Sequence, residues 1–93
     1  MATGTATLDF GATPTESASV TATGLSGLTT STHLEAFAQG ADTTATNTVD
    51  DHKFLATSGR FNCEYVSATS FKINCECTMG QATGTFVVHY ATA

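Results

Sequence analysis

Apolar and polar residues alternate with a period of two along most of the chain. In TATLDF, Ala6, Leu8 and Phe10 fall on one face while Thr7 and Asp9 fall on the other, the pattern of a half-buried strand. SASVTAT repeats it with Ala18, Val20 and Ala22 inward, and RFNCEYV with Phe61, Cys63 and Tyr65. FKINCECT sets Phe71, Ile73, Cys75 and Cys77 against Lys72, Asn74 and Glu76. GTFVVHYA presents Phe86, Val88 and Tyr90 inward, with Val87 and His89 outward. THLEAFAQ alternates in either register, with Leu34, Ala36 and Ala38 inward or with His33, Glu35 and Phe37 inward. Its threonine-rich, glycine-bearing flanks favour a strand over a helical turn.

The breaks between these stretches are turn-forming. GATPTE holds the one proline, and the two glycines of GLSGL suit positive φ values. Residues 40–50, GADTTATNTVD, form a long polar connection. Thr48 followed three residues later by Asp51 predicts an N-cap and a short helical turn through Lys53. Six stretches of this kind, with turn signals about every 8–12 residues, predict one all-β domain over residues 1–93. The expected architecture is a small antiparallel β-sandwich, Ig-like or jelly-roll-like, of six to seven strands. Neither the strand–helix alternation of a parallel sheet nor an internal repeat is present.

A 93-residue chain buries only about 60–65% of its unfolded surface, so its core is modest and a partner subunit would supplement it. Charged residues make up 12% of the chain, against about 25% in typical soluble domains. Threonine, serine, alanine and glycine fill the difference, which points to neutral hydroxyl-rich surfaces or to surfaces covered by neighbours in an assembly. The net charge of −5 argues against nucleic acid, whose binding depends on Lys and Arg, and against an anionic membrane. No run approaches the roughly 18 apolar residues of a membrane span. The opening MATGTATLDFG has no basic n-region and no apolar h-region, so no secretory leader is expected. Three cysteines, an odd number, fit a reducing compartment better than a disulfide framework.

Two clusters carry potential chemistry. Cys75 and Cys77 continue the face begun by Phe71 and Ile73, and free cysteine behaves as a small buried hydrophobe. Thiols two residues apart on a strand sit about 6.5–7 Å apart, which suits packing better than the tight turn of a zinc knuckle. Core packing is therefore expected, with a disulfide from Cys63 to Cys75 or Cys77, or a metal, as alternatives. In VDDHKF, Asp50, Asp51 and His52 are candidate metal ligands, or a carboxylate-oriented histidine base. Neighbouring loop residues rarely converge on one ion, and no EF-hand spacing is present. A capped turn, with the two carboxylates near a helix N-terminus, is the preferred reading. No GxSxG, HExxH or phosphate-binding glycine loop occurs, so no enzyme, cofactor or catalytic residue is expected.

The segments GTATLDFGATPTESASVTATG, EAFAQGADTTATNTVDDHKF and TGTFVVHYATA together resemble a group of small β-rich virion structural proteins of tailed bacteriophages and prophages. That group opens on a GTATxDFG-like strand, carries a threonine-rich Asp/His-containing middle and ends on a GTF-aromatic strand. The likeness covers most of the chain; the CxC stretch and the GLSGLT connection depart from the pattern. No catalytic or ligand residue carries over.

The resemblance implies a structural subunit on the outside of a phage particle, assembled in the host cytoplasm. It would be a capsid decoration or cement protein, or a component of the tail tip or fibre. The expected partners are copies of the same chain, a trimer by the symmetry habits of virion proteins, and other virion proteins. Phe37, Phe54 and Val87 are the interface candidates, being apolar in outward or connecting positions. The alternatives are a host-surface or carbohydrate-binding sandwich acting through the loop from Gly40 to Asp50, and a small metal enzyme centred on Asp50, Asp51 and His52.

Overall fold

The computed structural model describes residues 2–93. Six strands and one helix follow in the order β1 (Ala2–Asp9), β2 (Ser17–Ala22), β3 (Leu34–Phe37), α1 (Val49–Ser58), β4 (Gly59–Ser67), β5 (Ser70–Cys77) and β6 (Thr85–Thr92). They form two three-stranded sheets, ordered β1-β6-β3 and β2-β5-β4, and every neighbouring pair is antiparallel. The molecule is the small β-sandwich that the alternation predicts, with six strands.

Of the two expected topologies, the strand order is of the jelly-roll kind. β1 and β2 run as one arm of a ribbon whose other arm is β6 and β5. Backbone bonds carry the ribbon across the corner between the sheets. Phe10 N–H donates to Gly84 O at 2.9 Å, and Thr15 and Ala82 exchange bonds of 3.1 and 2.9 Å. Cys77 N–H donates to Glu16 O at 2.7 Å. β3 and β4 then flank β6 and β5 on the opposite side, and the connection between them crosses from one sheet to the other.

The period-two faces close on one another as the core. Leu8, Phe86 and Val88 from one sheet, with Phe10 just beyond β1, meet Ala22, Phe71, Ile73, Cys75 and Cys77 from the other. Phe10 packs edge-on to Phe86 at 5.5 Å, and Phe71 edge-on to Tyr90 at 5.3 Å. Pairing with β6 settles the register of β3: Leu34 and Ala36 lie inward, half-buried against the core. Phe37 faces out, 40% exposed. Tyr65 departs from expectation. It pairs with Phe71 but stays 41% exposed, at the end of the regular β4–β5 ladder beside a register shift between Tyr65 and Ser67.

The helix is longer than the turn expected through Lys53. α1 runs on to Ser58 because His52, Leu55 and Ser58, three residues apart, bury one helical stripe. The Ser58 hydroxyl donates to Phe54 O at 2.7 Å, and the Gly59 N–H closes the last turn on Leu55 O. Among the described residues no helix is long and apolar enough to cross a membrane.

Candidate functional site

Asp50, Asp51 and His52 do not converge on a point. Thr48 is the N-cap of α1, and its backbone N–H donates to Asp51 Oδ2 at 2.9 Å while its hydroxyl accepts from Asp51 N–H at 3.3 Å. This reciprocal capping box satisfies two helix-end donors and places negative charge at the positive end of the dipole. Asp50 is exposed on the same first turn. His52 points the other way, wholly buried. Its Nδ1 bonds the carbonyl of Thr48 at 3.0 Å, and its Nε2 accepts from the Val87 N–H at 3.0 Å. A carbonyl can only accept and an amide N–H only donate, so the ring proton sits on Nδ1 and both nitrogens are engaged. Among the described residues no three His, Cys, Asp or Glu side chains are grouped to hold a metal.

What His52 does belongs to a larger arrangement. β3 pairs with β6 only as far as Phe37 opposite His89, so on that side the start of β6, Thr85 to Val87, and Thr83 before it have no strand beside them. Side chains take that place. Thr46 Oγ1 accepts from Thr85 N–H at 2.8 Å, and Thr44 Oγ1 and Asn47 Nδ2 both donate to Thr85 O at 2.7 Å. Asn47 Nδ2 also donates to Thr83 O at 2.9 Å, and His52 completes the row at Val87. The threonine-rich connection is thus a side-chain substitute for the missing half of β3, giving partners to Thr83 O, to both backbone groups of Thr85 and to the Val87 N–H. Val87, an interface candidate from its apolar outward position, lies half-buried under this row.

The cysteines are core residues. All three are free thiols; Cys75 and Cys77 are buried and Cys63 is half-buried. Burial, then Cys77 and Glu76, pushes the Cys75 thiol up to about 12. Burial followed by Glu35 raises Cys63, and burial followed by Glu16 raises Cys77. These shifts keep the thiols protonated and unreactive near neutral pH, the reverse of a nucleophile or metal ligand.

One polar grouping escaped the sequence reading. His89 Nε2 lies 2.7 Å from Asp42 Oδ2, and Phe37 stacks on the imidazole with ring centres 5.8 Å apart and planes 14° from parallel. β6 aims His89 outward and β3 aims Phe37 beside it, while the connection brings Asp42 back across 47 residues of sequence. Nothing in the alternation reveals that return, since Asp42 sits in a polar run without periodicity. The pair lies half-buried on the outer face of its sheet. Two depressions of the surface lie elsewhere. One, of ≈ 390 Å³, is bounded by Asp9, Gly11, Thr46 and Gly84; the other, of ≈ 220 Å³, by Arg60, Asn62 and Glu76. Phe54 is 38% exposed on α1 and reaches toward Gly80.

Comparison with known proteins finds no matching family model, no matching curated protein and no matching solved structure.

Proposed function

We propose that the chain is a non-enzymatic structural subunit on the outer surface of a tailed-bacteriophage particle, decorating or cementing the head or forming part of a tail tip or fibre. The observation that carries the reading is the flank on which β1 and β2 lie side by side. Ala2–Leu8 and Ser17–Ala22 contain no charged residue, in a chain whose net charge is −5. A neutral flank ending in two open strand edges suits burial against neighbouring subunits better than permanent solvation. The jelly-roll order is in keeping with it, being used by viral capsid and lectin domains, although a fold alone does not assign a function. The resemblance in GTATLDFG, the Thr-rich middle and GTFVVHY points the same way.

The test is to fractionate an induced phage lysate on a density gradient and probe the fractions with an antibody to the chain. Co-sedimentation with intact particles, accessible to the antibody without disruption, is the expected result. Confinement to the soluble top of the gradient overturns the reading.

The alternative, a host-surface or carbohydrate-binding module, is favoured by one feature: Phe37 is exposed beside the Asp42–His89 pair, an apolar platform next to a polar group. Binding to a glycan array that is lost in Phe37→Ala, with the fold intact, would favour this reading over the structural one.

A further inference from the structure

The hydrogen-bond parity of β1 leaves a defined set of groups open. Phe10 N–H bonds Gly84, and the ladder places the even-numbered residues of β1 opposite even-numbered residues of β6. On the far side of β6 it is the odd-numbered Thr85 and Val87 whose backbone groups meet the connection and His52. Antiparallel ladders alternate, so the even residues of β1 bond inward to β6. The N–H and C=O groups of Thr3, Thr5 and Thr7 point away from the sheet. β1 is the edge strand of its sheet, and these residues are exposed.

Natural edges are guarded by lysine, proline, bulges or short length. The opposite flank is guarded: β3 has four residues and its extension is replaced by side chains, while β4 carries Arg60 and Glu64 and ends in a register shift. β1 has eight residues, no proline, and no charge before Asp9. Its sequence is also nearly symmetric about Thr5. Turned antiparallel on a second copy, Thr3 meets Thr7, Gly4 meets Ala6 and Thr5 meets Thr5.

We propose that β1 is a self-complementary docking edge for a second copy of this chain, paired antiparallel about a two-fold axis at Thr5. The three open pairs, Thr3 with Thr7, Thr5 with Thr5 and Thr7 with Thr3, supply about six backbone hydrogen bonds at two per pair. The result is a continuous six-stranded sheet with threonines lined across the junction on its outer face, where cross-strand Thr–Thr pairs are favourable. An isologous contact of this kind closes on itself and buries an edge that otherwise invites open-ended pairing. It makes the building unit a dimer, in place of the trimer expected from virion habit. The inference rests on the self-association in the proposed function and on no other part of it.

The experiment is sedimentation velocity with light scattering, over a range of protein concentrations, on four purified chains. The wild type is expected at twice the 9.6 kDa chain mass. Thr3→Lys/Thr7→Lys sets like charges opposite each other at both ends of the junction and is expected to weaken the dimer at least ten-fold. Thr3→Lys/Thr7→Glu, at the same two positions, sets opposite charges together and is expected to retain the dimer, more weakly as salt rises. Thr5→Pro removes an open-edge N–H that β6 does not use, a place where an edge strand tolerates proline, and is expected to be monomeric. Far-UV circular dichroism confirms that each variant is folded. If both lysine and proline variants keep the wild-type mass, self-association uses another surface and the β1 assignment is overturned while the subunit reading stands. A wild type that is monomeric at every concentration overturns both the dimer and the self-association in that reading.

Discussion

The Nε2 atom of His52 accepts a hydrogen bond from the backbone N–H of Val87 at 3.0 Å, tying the helix to the central strand of its sheet. The most enzyme-like side chain of the VDDHKF stretch is therefore spent on the backbone. Replacing it tests this directly. His52→Phe keeps an aromatic ring against Phe86, which His52 contacts edge-on at 5.1 Å, but strands the Val87 N–H, at a cost of about 1–3 kcal/mol. His52→Ala adds a cavity and is expected to be worse. Urea unfolding measures both; a Phe variant as stable as the wild type would refute the structural role.

Asp51 and Asp50 separate in the same experiment. Asp51→Ala removes the acceptor of the Thr48 N–H and is expected to cost about 1 kcal/mol. In a domain of this size that corresponds to a fall of about 4–8 °C in Tm. Asp50→Ala, which removes only an exposed first-turn charge, is expected to cost less. EDTA is expected to change neither the Tm of the wild type nor the ranking. A wild-type Tm that falls on chelation would restore the metal reading of Asp50, Asp51 and His52.

The strand faces were legible because period-two burial leaves a strong mark: Phe71, Ile73, Cys75 and Cys77 needed only their neighbours Lys72, Asn74 and Glu76 to be assigned. The Thr48–Asp51 cap was legible because capping is local. α1 beyond Lys53 was not, since its buried stripe consists of a histidine, one leucine and a serine, which no apolar period reveals. The side-chain row from Thr44 to His52 was hidden for a different reason. Its partners lie 35 to 41 residues away, and it exists only because β3 stops at Phe37. The Asp42–His89 pair likewise depends on a loop returning to a strand.

Gly84 fixes where that row docks. Its φ is +76°, and a Cβ built there would lie 2.5 Å from Thr46 Oγ1. Gly84→Ala is expected to cost about 1–2 kcal/mol from the backbone alone, and to push Thr46 off the Thr85 N–H as well. Gly24→Ala is the control, with φ +80° and open space around the built Cβ. Amide hydrogen exchange should then accelerate at Thr85 and Val87 in the Gly84 variant only. Equal protection in both variants would show that the connection does not depend on this close approach.

The Cys75 thiol gives a pH dependence with a definite sign. Burial raises it from its ordinary value of 9.0 to about 12, so between those values the unfolded chain releases a proton that the folded chain keeps. The unfolded state then binds fewer protons, and stability falls as pH rises. The contribution is fully present below about pH 9 and lost progressively toward about pH 12, amounting to about 2–3 kcal/mol by pH 11 at 1.36 kcal/mol per unit. Cys63 and Cys77 act in the same direction. Cys75→Ala retains those two and lowers stability at every pH through its cavity, but its fall between about pH 8 and pH 11 is expected to be shallower than that of the wild type. Urea unfolding at the two pH values, run on both proteins, isolates the difference from titration of the other groups. Parallel losses would mean that the Cys75 thiol titrates alike in the folded and unfolded chain, and that burial does not hold its proton.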